Sequence, residues 1–215
     1  MKKHILIAMF VSLRIFIAAQ ENQTQDKPEF GVLFGLSQPI LGSGFNYELN
    51  YYTKRLVFDW SHGIGLQIRG SGIVGEMKEQ NLVAYIPYTI GFGAGVRLSE
   101  WLNIRIEPKL HRFHVYYDGD AMNSENEITE YSTVTLGIGV YGKWMPFKKE
   151  SNYLKGIVVA PSVRFWPNIS STVEGDAISY DNAFTKKNEE HKVMNIGFNN
   201  TPFFANVSIG YLFSK

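Results

Sequence analysis

The chain has 215 residues, with 21 Lys+Arg against 20 Asp+Glu, 45% hydrophobic and 14% aromatic residues, and no cysteine. The balanced charge offers no basic excess for a nucleic-acid partner, and the apolar content excludes a disordered chain. A mean hydropathy of −0.13 excludes a set of apolar helical spans, and the lack of cysteine excludes disulfides, thiolate zinc sites and Cys nucleophiles.

The N-terminus reads as an export signal. Lys2 and Lys3 form a positive start, Ile5 to Ala19 are mostly apolar apart from Arg14, and the stretch ends Ile17-Ala18-Ala19 before Gln20. That layout predicts a cleaved signal peptide over 1–19. A polar lead-in over 20–28 follows, closed by Pro28, and a single domain occupies 29–215. Loss of Lys2, Lys3 and Arg14 leaves the mature chain slightly acidic.

Beyond residue 28 the apolar residues recur with a period of two, the signature of strands with one apolar face. The clearest run is Leu82, Ala84, Ile86, Tyr88, Ile90, Phe92, Ala94, Val96 and Leu98. Leu102, Ile104, Ile106, Pro108 and Leu110 repeat the scheme after the reversal at Ser99-Glu100. The pattern predicts strands over 29–38, 44–53, 56–69, 81–98, 101–116, 131–145, 153–167 and 202–214. Connections alternate between short ones, around 53–55, 99–100 and 146–152, and longer ones, the longest being 168–201. The expected fold is an eight-stranded antiparallel up-and-down transmembrane β-barrel with short periplasmic turns and longer extracellular loops.

Period two does not by itself say which face is wet, since a soluble ligand-carrying barrel turns its apolar face inward. Three features favour a transmembrane barrel. The polar phase carries Gly63, Gly65, Gly91, Gly93, Gly95, Gly137 and Gly139, as expected where barrel walls crowd a narrow lumen. The strands are longer than globular strands need. Aromatics stand near the strand ends on the apolar phase, at Phe58, Trp60, Trp144, Phe165, Phe203, Tyr211 and Phe213, as in interfacial girdles. If that phase faces lipid, Ile104→Arg should cost about 2–4 kcal/mol near the midplane, and Asn103→Arg, one residue away, should be better tolerated.

The segment Gly91-Phe92-Gly93-Ala94-Gly95-Val96-Arg97-Leu98-Ser99-Glu100-Trp101-Leu102-Asn103-Ile104 and the closing Val207-Ser208-Ile209-Gly210-Tyr211-Leu212-Phe213 resemble small bacterial outer-membrane β-barrel proteins. The similarity is to porin-like barrels of the Bacteroidetes type and covers nearly everything after residue 28. It implies a Gram-negative outer-membrane location, periplasmic termini, contact with outer-membrane lipid and lipopolysaccharide, and insertion by the barrel-assembly machinery. No nucleic-acid partner is implied, and the expected state is a monomer. The chain ends Ser214-Lys215, where many such barrels finish on an aromatic.

By alternation the lumen receives Glu48, Asp59, Arg69, Arg97, Arg105, Glu107, Lys109, Lys143 and Arg164. Both signs are present, so pairing into a structural cluster is expected, because an unpaired buried charge is costly. The other reading is a narrow charge-lined solute path. The loop from Asp118 to Glu130 carries Asp118, Asp120, Glu125, Glu127 and Glu130 without Lys or Arg. It matches no cation-loop motif, and no metal or cofactor is assigned. Ser61 and His62 are adjacent and so point to opposite faces, as do His111 and His114. That geometry argues against a nucleophile–base pair and a shared metal. The long loop 168–201 holds His191, several asparagines, and Phe184, Ile196 and Phe198 that could pack over the barrel mouth. The expected role is non-enzymatic, structural or porin-like, with long loops meeting solutes or partners. The alternatives are a lipid-modifying enzyme on a small barrel, and a soluble secreted ligand-binding barrel.

Overall fold

The computed structural model describes residues 27–41, 43–69, 81–197 and 200–214. The signal-peptide reading over 1–19, most of the lead-in, the Arg69 side chain and Phe198 lie outside what is described. Eleven strands occur among the described residues: β1 (Glu29–Gly35), β2 (Ser43–Tyr52), β3 (Leu56–Arg69), β4 (Leu82–Arg97), β5 (Leu102–Tyr117), β6 (Thr129–Gly142), β7 (Ile157–Phe165), β8 (Asn168–Ser171), β9 (Ala177–Asp181), β10 (Asn188–Lys192) and β11 (Phe203–Ser214). Eight of them close a ring, β1-β2-β3-β4-β5-β6-β7-β11, through antiparallel ladders that return from β11 to β1. Closure gives each of these eight strands a neighbour on both sides, so the ring itself has no free edge strand. No helix among the described residues is long and apolar enough to cross a membrane, which says nothing of a barrel.

Most expected strands appear within a few residues of their predicted bounds. The first stops early at Gly35, and the chain then turns helically over Ser37–Leu41. There Ser37 is tied to β11, its N–H donating to Asn206 Oδ1 at 3.1 Å and its hydroxyl to the Ala205 carbonyl at 3.2 Å. The seventh begins at Ile157 because a 3-10 turn, Tyr153–Gly156, capped by the Asn152 side chain, occupies the predicted start.

The wall is inverted relative to a globular core. Phe30, Phe34, Tyr51, Phe58, Phe92, Ile106, Ile138, Val163, Phe203 and Ile209 face outward and are exposed, whereas Glu48, Asn50, Asp59, Arg105, Glu107, Lys109 and Arg164 are buried inside. Phe58, Trp144, Phe165, Phe203 and Phe213, five of the expected girdle aromatics, are likewise exposed. Along β5 the outward residues run from Leu102 to Leu110. At about 3.3 Å per residue and a tilt of 35–45° they rise about 19–22 Å, most of the roughly 25 Å of an apolar membrane band.

One expectation fails in the upper wall. Leu82, Ala84 and Ile86 are not on the outward face with Tyr88, Phe92 and Ala94; all three are fully buried inside. The register between β4 and β5 shifts between Tyr85 and Thr89, and that between β2 and β3 shifts between Ser43 and Phe45. The β3–β4 ladder itself keeps step, pairing Ile64 with Tyr88 and Leu66 with Ile86. Both strands therefore turn over together as one ribbon. Gly65, with φ of +66°, supplies the left-handed backbone on β3, and Pro87 on β4 has no N–H to offer the ladder. A bulge of this kind re-aims every side chain beyond it. Just below it the lumen is polar, and above it the lumen is apolar.

Gly137 shows how tightly the lumen is filled. A methyl group there would meet the indole of Trp166. That ring cannot retreat: its Nε1 donates to Glu107 Oε2 at 3.1 Å, and the Lys109 ammonium and Arg164 guanidinium lie 4.2 and 4.9 Å from its centre. Gly137→Ala is expected to destabilise the barrel by about 1–3 kcal/mol through overpacking, read as a lowered urea midpoint in lipid vesicles.

Candidate functional site: the charged lumen and its cap

Of the nine residues assigned to the lumen by alternation, the eight whose side chains are described all lie inside the barrel and are buried. Six converge on one mid-lumen network and two stand nearer the end of the short turns. Arg105 on β5 is the principal donor. Its Nε donates to Asn103 Oδ1 at 2.7 Å, its Nη1 to Asn50 Oδ1 at 2.6 Å and Asp59 Oδ1 at 3.0 Å, and its Nη2 to the Tyr52 hydroxyl at 3.2 Å. Arg164 on β7 reaches the same strand from the other side. Its Nη2 donates to Glu48 Oε1 at 2.8 Å and its Nε to the Ser162 hydroxyl at 3.0 Å.

Strand β2 thus presents Glu48, Asn50 and Tyr52 inward, at alternate positions, to two arginines from distant parts of the ring. The two guanidinium groups lie 4.2 and 4.7 Å from the ring centre of Tyr141 on β6, so an aromatic face offsets part of what two buried cations cost. Glu107 accepts from Trp166, and Lys109 lies over the same indole.

At the turn end Lys143 Nζ donates to Glu29 Oε2 at 2.6 Å, and Arg97 Nη1 donates to the Thr53 carbonyl at 2.7 Å. Glu29 was not singled out from the sequence, because it opens the first strand where alternation has no preceding residue to set it. Asn50, Ser162 and the hydroxyl of Tyr52 are likewise not among the residues the sequence reading assigns, and Asn103 is placed there on the inner phase without its bond to Arg105. Their shared signal was available, since each stands on the inward phase beside a charged neighbour. Leu33, Tyr52, Val57, Val158, Ala160 and Leu212 form an apolar cluster toward this end.

Above the charged network, His111 on β5 meets the Thr135 hydroxyl at 3.0 Å. A void of about 20 Å³ lies among Thr89, Lys109, His111, Arg164, Trp166 and Asn206, room for about one water. Ser61 points inward and is buried, whereas His62 lies on the outward face, stacked on Trp60 at 5.9 Å with Tyr47 edge-on. The pair therefore forms no nucleophile–base couple.

The long loop 168–201 is not an irregular lid. It contributes β8, which pairs with the upper part of β6 where β7 has left it, and the β9–β10 hairpin. Ile178, Tyr180, Val193, Met194 and Ile196 pack down onto Phe113, Val115, Tyr131 and Trp166 and close the mouth with an apolar core. Polar bonds fix the cap. Met194 N–H donates to the Tyr131 hydroxyl at 3.2 Å, Asn168 Nδ2 to the Met194 carbonyl at 3.0 Å, and Asp181 N–H to the Tyr117 hydroxyl at 3.0 Å. Ile196 covers the mouth as expected, but Phe184 stands exposed at the hairpin tip. In the hairpin, donation from Thr185 and Asn182 holds the Glu189 carboxyl below its usual range.

No protein-family model and no curated protein sequence matches the chain. Among solved structures, the N-terminal β-barrel domain of Pseudomonas aeruginosa OprF is similar over 88% of this chain and 98% of its own, at 12% identity and a TM-score of 0.36. At that level the likeness decides nothing about role, and the eight-stranded barrel stands on its own strand pairings.

Proposed function

We propose that the chain is a sealed, non-enzymatic barrel of a Gram-negative outer membrane, an anchor that presents a capped mouth, rather than an open pore. The observation that carries this reading is the set of bonds crossing the lumen. Arg105 to Asn50 and Asp59, and Arg164 to Glu48, tie together strands from different sides of the ring. A solute moving along the axis would have to break buried charge-assisted bonds, displace the indole of Trp166, and then lift the apolar cap. Eight strands leave an interior just wide enough for side chains, and here side chains fill it. The outward apolar belt supports placement in a bilayer, where a closed barrel satisfies its backbone without water. Outer-membrane lipid and lipopolysaccharide are then its immediate surroundings and the barrel-assembly machinery its route of insertion.

The refolded full chain in a planar bilayer, with heat-modifiable gel mobility as the folding control, is expected to give no discrete conductance steps. Reproducible single-channel steps from folded protein would overturn the sealed reading and establish a solute path.

A further inference from the structure

His114, Glu127 and Glu130 meet outside the lumen, on the outer wall above the apolar belt, and the sealed barrel makes no use of them. The ladder itself builds the cluster. His114 on β5 stands directly opposite Glu130 on β6. Glu127 lies just ahead of β6, where Ile128 N–H donates to the Val115 carbonyl at 2.9 Å and lays the incoming loop along β5. His114 Nδ1 is 2.8 Å from Glu127 Oε2 and 3.9 Å from Glu130 Oε2. One ligand atom from each residue falls within 4.8 Å of the others.

A tetrahedral metal with bonds of about 2.0–2.2 Å holds its ligands about 3.3–3.6 Å apart. The two histidine–carboxylate separations bracket that edge. The carboxylates are also held by neighbours, on the same oxygens that face His114. Arg112 Nη2 lies 2.6 Å from Glu130 Oε2, and the Tyr116 hydroxyl donates to Glu127 Oε2 at 3.4 Å. Such outer partners fix ligand direction, and each carboxylate has about four lone-pair sites, so it can meet an arginine or tyrosine and a metal together.

We propose that His114, Glu127 and Glu130 form a surface site for a first-row divalent cation of the zinc class, with a fourth position open to water. One imidazole and two carboxylates make a mixed nitrogen–oxygen set, with two negative charges, one of them shared with Arg112. Calcium and magnesium prefer larger all-oxygen sets, and imidazole favours zinc and its neighbours. The acidic loop is thereby divided. Glu127 and Glu130 turn to the histidine, Glu130 with its side chain still half-exposed, and Asp120 and Glu125 are exposed at the loop surface.

The test is calorimetric titration of zinc chloride into the untagged full chain, folded in detergent and stripped with chelator, in a millimolar calcium and magnesium background. One zinc per chain is expected. His114→Ala should weaken binding by at least about 100-fold, and Glu127→Gln should weaken it as well. His191→Asn, on the cap hairpin, should leave it unchanged, and heat-modifiable mobility checks that each variant is folded. Absence of stoichiometric binding to the parent chain, equal affinity in His114→Ala, or displacement of zinc by the calcium and magnesium background would each overturn the site. The first outcome would leave the cluster as a hydrogen bond between His114 and Glu127 beside the Arg112–Glu130 ion pair.

Discussion

Replacing Arg105 with methionine is expected to destabilise the folded barrel by about 3–5 kcal/mol. The guanidinium donates to four side chains, and Asp59 and Arg105 are both almost wholly withdrawn from solvent. Methionine fills much of the volume but leaves the Asp59 carboxylate without its cation. It also leaves Asn50, Asn103 and Tyr52 without that donor. Most of the expected loss is the cost of the stranded charge, not the net worth of the pair. Neutralising the stranded group should therefore recover a large share. Arg105→Met combined with Asp59→Asn is expected to be clearly more stable than Arg105→Met alone. Urea unfolding in lipid vesicles, followed by tryptophan fluorescence, gives the comparison. Equal stability of the single and double variants would show that Asp59 is not held as an anion by Arg105.

The second large effect tests which way the wall faces. Ile106 is 55% exposed on the outward face of β5, whereas Asn103 on the inward face is 2% exposed. Ile106→Arg, and Ile104→Arg one pair nearer the turn, should each cost about 2–4 kcal/mol if those positions lie near the bilayer midplane. Ile106→Thr is the milder companion. Asn103→Arg is not the tolerant control that alternation alone suggests. Asn103 Nδ2 donates to the Tyr141 carbonyl at 3.2 Å and its Oδ1 accepts from Arg105. An arginine there would remove that acceptor and set a second buried cation against Arg105, so it too should be strongly destabilising. The two variants separate by environment. The Ile106→Arg penalty should shrink in a detergent micelle that lets the side chain reach water, whereas the Asn103→Arg penalty should persist, because the lumen is the same in both. Loss of the Asn103→Arg penalty in micelles would mean that the lumen is open to solvent.

The barrel was legible from residue spacing because a wall strand has two faces in different surroundings, and a period of two records that directly. The phase of Glu48, Asp59, Arg105, Glu107, Lys109 and Arg164 followed from the same rule, and all six are buried inside. The rule lapses where a strand turns over. Gly65 and Pro87 sit within otherwise regular strands, and both residue types mark places where a strand bulges or gives up a ladder bond. They were the available signal that Leu82, Ala84 and Ile86 would leave the outward phase. Alternation carried through without a break misplaced those three residues. In the long loop, β9 and β10 carry Asp181, Asn188, Glu189 and Glu190 and offer no clean period, so a hairpin there is unmarked locally. It is held by Phe113, Val115 and Tyr131, far away in sequence.

The amino-acid sequence by itself determined a closed antiparallel barrel with charges on its inner phase, since alternation and turn spacing are local properties of the chain. Tertiary structure decided which charges meet, that Tyr141 and Trp166 lie beside the arginines, that the mouth is capped, and that His114 lies beside two carboxylates. Each of these depends on how β2, β5, β6 and β7 are staggered around the ring. Stagger is a property of the closed sheet, set by bulges and by strands that end early, and no single strand encodes it.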